Sequence, residues 1–368
     1  MPVDDSPLHV VILAGGIGSR FWPASLPTRP KPLLSFGDSS DPMLVETVGR
    51  AARLAPPDRI AILTGRHLEA PFRAVLPNLP PEGLWIEPRA RGTGPVLVWA
   101  AHRIHRRDPT AVMVSLHADH AIRTNTAFAE LVRGAAAVAA REDRLLTIAA
   151  RPDRPEVGYG YIRPGDVLGS GVEAPEAFEV AAFIEKPDLE TARAYVAQGY
   201  LWNTGIFVFP VRRFLEEVRL HAPEIGALLP LLDAGDEDAF FDAVPTVSVD
   251  ESVLERSGRV GCVRATFEWD DVGGWEALSR TRPVDEAGNC LEGEAYAVDT
   301  QRSIAWTEDG PIVLFGVDGL VVVRAAGVTL VTTRSRAPDL KALLSQLPAA
   351  LREGGSDGST SHGNEDPE

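Results

Sequence analysis

The sequence predicts an α/β fold: a mostly parallel, mixed sheet with helices on both faces, followed by a small C-terminal β unit. Two observations carry the prediction. Short apolar runs at 8–13, 59–64, 111–116 and 144–149 alternate with helical patterns at about 43–55, 66–76, 94–107 and 125–141, the rhythm of strand–helix–strand units with crossovers. A glycine-rich stretch, Leu13-Ala14-Gly15-Gly16-Ile17-Gly18-Ser19-Arg20, follows the first run directly, and in such sheets ligands bind beyond the carboxyl ends of the strands.

Bulk properties narrow the function. At 368 residues, 45% hydrophobic and 24% charged, the chain can bury a large core. A formal net charge of −16 disfavours nonspecific binding to nucleic acid or acidic membranes. Two cysteines, Cys262 and Cys290, offer neither a disulfide framework nor metal-ligand spacing. No signal peptide and no uninterrupted apolar run of ~18 residues is evident, so a cytoplasmic enzyme with no membrane partner is expected.

The glycine loop comes first in the chain. Its bare backbone can bring N–H groups against an anion. The spacing G-G-x-G-x-R fits neither the dinucleotide-binding turn nor the G-x-x-x-x-G-K-[ST] phosphate loop. Behind it stands Arg29-Pro30-Lys31-Pro32, and only three of the 36 basic residues are lysine: Lys31, Lys186 and Lys341. Two of the three sit in proline-flanked segments, which points to positions that need a compact ammonium rather than a planar guanidinium.

Further along, Glu87-Pro88-Arg89-Ala90-Arg91-Gly92-Thr93-Gly94-Pro95 opens a helix and can hold a planar base or an anion. It reads equally as a helix-starting loop. The run 111–116 leads into His117-Ala118-Asp119-His120, where an Asp just past a buried strand is placed either to hold a divalent cation or to cap the next segment. The two histidines lack a third soft ligand for zinc. Val157-Gly158-Tyr159-Gly160-Tyr161-Ile162 reads as a strand whose glycines admit a ligand. Phe183-Ile184-Glu185-Lys186-Pro187 ends another strand, and Trp202-Asn203-Thr204-Gly205 starts a third. Glu268-Trp269-Asp270-Asp271-Val272-Gly273-Gly274-Trp275 supplies adjacent carboxylates before a glycine turn. Residues 295–333 read as short strands punctuated by Gly and Asp, with one helix at about 338–351. The expected organisation is a catalytic domain over 1–284, a β-rich unit with a terminal helix over 285–352, and a disordered tail over 353–368.

Taken together, LAGGIGSRFWP…RPKPLL, EPRARGTGP, LHADH, VGYGYI, FIEKP, WNTGIF, VSVDESVLE and WDDVGGW resemble, in order, the sugar-1-phosphate nucleotidyltransferases. The Trp-Pro after Arg20 and the Trp-x-Asp-Val-Gly-x-Trp element favour the mannose-1-phosphate guanylyltransferase branch. The resemblance covers about residues 8–280. It implies a Rossmann-like sheet of the nucleotide-diphospho-sugar transferase type, and a reaction in which mannose 1-phosphate attacks the α-phosphorus of GTP. Positioning and charge neutralisation would then carry catalysis.

By that resemblance Leu13, Ala14, Gly15, Gly16, Gly18, Ser19, Arg20, Lys31, Glu87, Arg91, Gly92 and Thr93 bind the nucleotide. Asp119 and Asp271 hold Mg²⁺ or another divalent cation. Gly158, Tyr159, Gly160, Glu185, Lys186 and Asn203 bind the sugar phosphate. Arg20, Lys31, Asp119, Lys186 and Asp271 are the implied catalytic set. The chain departs from the family pattern at three places: the family often has Asn at Gly92 and Ala at Gly94, which touches the base-binding loop, Pro at His117, and Thr at Val157, which touches the sugar side. Alternatives are another nucleoside triphosphate and hexose 1-phosphate pair, or a regulatory paralogue without catalysis. A homodimer is compatible with the β unit.

Overall fold

The computed structural model describes residues 7–36, 40–168 and 175–354. They form two compact units. The first runs to Gly15 and resumes through Asp271; the second holds the segment from Gly16 and everything from Val272 onward. The tail expected over 353–368 lies outside the described residues from 355 on.

The first unit is built on one nine-stranded sheet. Its strands are β1 (Leu8–Leu13), β2 (Ile60–Gly65), β3 (Leu84–Glu87), β4 (Val112–His117), β6 (Leu145–Ala150), β7 (Gly160–Val167), β8 (Ala177–Glu185), β9 (Leu201–Pro210) and β10 (Val260–Arg264). A separate two-stranded ladder pairs β5 (Ala121–Ile122) with β11 (Trp269–Asp270). The sheet order is β3-β2-β1-β4-β9-β6-β10-β8-β7. Only β8 and β9 run against the other seven, so the sheet is mixed but mostly parallel in direction.

The crossovers are α1 (Met43–Ala51), α2 (Glu69–Val75), α3 (Thr93–Arg107) and α4 (Asn125–Glu142), each within a few residues of its predicted span. They form because buried positions recur at helical spacing. In α4, Phe128, Leu131, Val132, Ala135, Ala136 and Ala139 all face inward. The core joins Trp99 on α3, Phe207 and Phe209 on β9, and Phe214 of the helix Val211–His221. Strands β1, β2 and β4 are buried almost throughout, as a parallel sheet covered on both faces requires.

Two expectations shift. The strand predicted to begin at Val157 begins at Gly160, because the Glu156 carboxylate accepts the Gly158 N–H at 3.1 Å and closes a turn ahead of the ladder. The single helix predicted at 338–351 is two short ones, Leu340–Leu344 and Ala349–Glu353. Pro348, at the head of the second, disfavours helix in the residue before it.

In the second unit, β12 (Cys290–Glu292), β14 (Ile304–Thr307), β16 (Leu320–Ala325) and β17 (Val328–Thr333) form one sheet, and β13 (Ala295–Val298) pairs with β15 (Ile312–Phe315). All pairings are parallel except β16–β17. An aromatic cluster of Phe21, Phe36, Trp275 and Trp306 anchors the early segment of this unit to its later residues, with ring centroids 4.4–6.0 Å apart.

Candidate active site

The loop leaving β1 is fixed at its start by the sheet. The Ala14 N–H donates to the Leu63 carbonyl at 2.9 Å, the Thr64 hydroxyl to the Ala14 carbonyl at 2.9 Å, and the Ala118 N–H to the Leu13 carbonyl at 3.0 Å. Leu13, Ala14 and Gly15 therefore leave at the carboxyl end of β1 with their direction set by β2 and β4.

Gly15 stands beside Glu87 at the end of β3: a Cβ on Gly15 would lie 3.2 Å from Glu87 Oε1. Burial pushes the Glu87 carboxyl up to about 7. Past it, the Arg91–Gly94 turn is bound to a distant segment. The Val247 N–H donates to the Arg91 carbonyl and the Gly94 N–H to the Val247 carbonyl, both at 3.1 Å, and the Val249 N–H to Thr93 Oγ1 at 3.0 Å. Gly92 has φ +82°, and a Cβ there would meet the Val247 carbonyl oxygen at 2.6 Å. Glycine is thus the residue this turn accepts, whatever relatives carry. Arg91 donates to the Phe241 carbonyl at 2.8 Å, so its guanidinium braces this loop rather than pointing only to a ligand.

The two residues expected to hold a cation flank the same end of the β5–β11 ladder. Asp119 sits in the turn between β4 and β5, and the pairing of Asp270 with Ala121 brings Asp271 to the same end. The Tyr159 hydroxyl donates to Asp271 Oδ1. Arg154 lies 3.6 Å from Asp270 and donates to the Tyr159 hydroxyl at 3.2 Å.

His117, Asp119 and His120 also cluster, with ligating atoms within 4.8 Å of one another. A His₂Asp zinc set does not follow. The Trp269 indole N–H donates to His120 Nδ1 at 3.1 Å, so neutral His120 carries its proton on Nε2 and has no lone pair to give there. Without His120 the cluster offers the Asp119 carboxylate and the His117 ring, one ligand short of a three-residue zinc set.

On the sugar side, the β7–β8 register sets Gly160 against Glu185. A Cβ on Gly160 would lie 2.5 Å from Glu185 Oε2, so a larger residue there would displace that carboxylate from its present position. Lys186, at φ +46°, donates to Glu185 Oε1 at 2.6 Å. Asn203 accepts the Thr147 hydroxyl at 2.8 Å and donates to Asp250 Oδ1 at 2.9 Å. Tyr159, expected on the sugar side, is only 8% exposed and its hydroxyl is bound to Asp271.

Asp250 escapes a reading of local pattern. It lies in a short π-helical turn, Asp250–Leu254, 47 residues from Asn203. Burial first, and the nearby Glu185 second, raise its carboxyl to about 7. The signal available in the sequence was its place in VSVDESVLE, a stretch quoted for the resemblance without a role.

In the second unit, the rest of the glycine loop folds onto its own basic segment. Gly18 has φ +72°, and a Cβ there would lie 2.4 Å from Lys31 Cβ. The Lys31 N–H donates to the Ile17 carbonyl at 2.9 Å, and Ser25 Oγ donates to the Ile17 and Gly18 carbonyls at 2.8 and 2.9 Å. The loop is therefore rigid around Lys31, which is buried, whereas Gly16 and Arg20 are exposed. Both cysteines are buried, and burial pushes their thiols up to about 12, which removes thiolate chemistry at neutral pH.

A glycine loop at the carboxyl end of a parallel strand, with acidic residues beyond two other strands, is the arrangement of a nucleotide-handling α/β enzyme. Family models agree: residues 9–287 match the nucleotidyl transferase family, and 293–347 match the MannoseP isomerase/GMP-like beta-helix domain. The chain belongs to the nucleotidyl transferase family, in its mannose-1-phosphate guanylyltransferase branch.

It is 37% identical over 361 residues to a mannose-1-phosphate guanylyltransferase of Escherichia coli K12, covering 94% of this chain and 74% of that protein. It is 34% identical over 354 residues to the xanthan biosynthesis protein XanB of Xanthomonas campestris, covering 93% and 73%. A crystal structure described as mannose-1-phosphate geranyltransferase from Thermus thermophilus superposes with a TM-score of 0.82 at 30% identity, covering 92% of this chain and 98% of that one. No helix among the described residues is long and apolar enough to cross a membrane.

Proposed function

We propose that the chain transfers GMP from GTP to mannose 1-phosphate, giving GDP-mannose and diphosphate. The observation that supports this best is the placing of Asp119 and Asp271 at one end of the β5–β11 ladder, in a chain 37% identical over 94% of its length to a mannose-1-phosphate guanylyltransferase. An oxygen of the sugar phosphate forms the new bond to the α-phosphorus. The bond from that phosphorus to the β-bridging oxygen breaks, and its electron pair leaves on diphosphate. The nucleophile is already largely anionic at neutral pH, so no general base is required.

Charge and placement do the remaining work. The loop from Gly15 to Ser19 offers backbone N–H groups to the triphosphate, and Arg20 and Lys31 offset its charge. Lys186 does the same for the sugar phosphate, while Glu185, Asn203 and Asp250 offer hydrogen bonds to sugar hydroxyls. Asp119 and Asp271 would hold a divalent cation, Mg²⁺ by the chemistry of the donor set. When bound, that ion would supply charge neutralisation to the reacting phosphates.

The direct test measures diphosphate release with Mg²⁺ for GTP, ATP, UTP or dTTP paired with mannose, glucose or N-acetylglucosamine 1-phosphate. Preference for GTP with mannose 1-phosphate is expected. Preference for another pair would refute the substrate assignment, and no release from folded, nucleotide-binding protein would refute the enzyme.

Glu87 is assigned to the base. An ionised carboxylate accepts both N1–H and the exocyclic N–H of guanine, whereas adenine offers one donor and one acceptor. Since Glu87 titrates at about 7, it is ionised above that pH and protonated below it. GTP affinity is therefore expected to fall about tenfold per pH unit below 7 and to be flat above it. In Glu87→Gln that step disappears and discrimination against ATP narrows. Calorimetric titrations of both proteins from pH 5.5 to 8.5 check this, since protonation of the triphosphate affects both equally. Identical profiles would remove Glu87 from base recognition.

A further inference from the structure

Asp271 is embedded in a layer that no part of the proposed reaction uses. The Tyr159 hydroxyl donates to Asp271 Oδ1, 112 residues away in sequence. Arg154 donates to that hydroxyl at 3.2 Å and lies 3.6 Å from Asp270 Oδ2. The tyrosine ring is wedged edge-on between Trp202 and Trp269, with centroids at 5.1 and 5.3 Å. The Arg154 guanidinium stacks over Trp202 at 4.8 Å, with Asp153 and Glu156 at 2.9 and 3.3 Å. Trp269 then reaches the Asp119 side through its N–H bond to His120 Nδ1.

We propose that Tyr159 and Arg154 are positioning residues for cation binding: they clamp one oxygen of Asp271 and the neighbouring Asp270, and so aim the other Asp271 oxygen at the ion. This rests on the reading of Asp271 as a cation ligand. Three features support it. Tyr159 is 8% exposed, so it presents little surface to a sugar. A donated hydrogen bond on Oδ1 takes up one acceptor face and fixes the carboxylate plane, which is what outer-layer partners of metal-binding carboxylates do. Arg154 gives the Tyr159 hydroxyl a donor of its own, leaving the tyrosine proton with Asp271 as its acceptor. Chemically, Tyr159 thereby serves the divalent cation and not the hexose.

Tyr159→Phe keeps the ring and its packing and deletes the hydroxyl. The experiment titrates Mn²⁺ alone into the full chain, reading the free-ion electron paramagnetic resonance signal for wild type, Tyr159→Phe, Arg154→Lys and Asp271→Asn. Mn²⁺ affinity is expected to fall about tenfold or more in Tyr159→Phe, less in Arg154→Lys, and to be lost in Asp271→Asn. At saturating Mn²⁺ the KM of Tyr159→Phe for mannose 1-phosphate is expected to stay within about twofold of wild type. Unchanged Mn²⁺ affinity in Tyr159→Phe, with binding lost in Asp271→Asn, would overturn the positioning role alone. A raised sugar-phosphate KM at saturating metal would overturn it in favour of a sugar contact. Wild-type Mn²⁺ binding by Asp271→Asn would refute the cation-ligand reading beneath it.

Discussion

Replacing Asp119 or Asp271 with asparagine lowers turnover by about 10³-fold with both substrates saturating, because it removes a formal charge from the groups that would hold the divalent ion while keeping shape and hydrogen-bonding capacity. As proposed ligands of one ion, the two residues would act as a single device. The β5–β11 ladder brings the two residues to one end, and Asp271 is held in place by Tyr159. Either substitution alone should therefore cost nearly as much as both together, as residues that act as a unit do. Diphosphate release over a Mg²⁺ titration checks this, with thermal melting to confirm that the fold is retained. Near-normal turnover in both variants would end the metal assignment.

The second large effect is expected at Lys186. Lys186→Ala lowers kcat/KM for mannose 1-phosphate by about 10²–10³-fold, the cost of deleting one preorganised charge from a phosphoryl-transfer site. GTP affinity is expected to stay at the wild-type value. The separation follows from position. Lys186 directly follows β8, its N–H donating to the Tyr159 carbonyl at 3.2 Å and its ammonium to Glu185, whereas Glu87 and the Arg91–Gly94 turn belong to the other end of the sheet, beyond β3. Its ion pair is largely exposed, with the lysine side chain 64% accessible, so the substitution should cost little stability. Steady-state kinetics paired with nucleotide titration measure both quantities. Equal loss of GTP binding would contradict a role confined to the sugar phosphate.

Much of this was legible in the residues. The apolar runs at 8–13 and 111–116 match β1 and β4 within a residue, because strands buried on both faces must be continuously apolar. The loops that follow them carry Gly15, Lys31 and Asp119, and the sequence alone names these residues without showing what they bond to. Pattern also separated the C-terminal β unit by its short, punctuated strands. It failed where the chain satisfies a local group from nearby, as at Gly158, and where a proline divides a helical stretch, as at Pro348.

What the sequence determined by itself is the alternating α/β order, the glycine loop and its lysine, and the identity of the charged groups available for chemistry. Those features depend on residue type and spacing along the chain. The tertiary structure alone decided what those groups bond to. Asp250 holds Asn203, Tyr159 holds Asp271, and Glu87 stands beside Gly15 in surroundings that raise its pKa. Each of these depends on which strands lie side by side and how much water they exclude. A period of 2 or 3.6 residues fixes the face a side chain occupies, but the partner across that face is chosen by the order of the sheet.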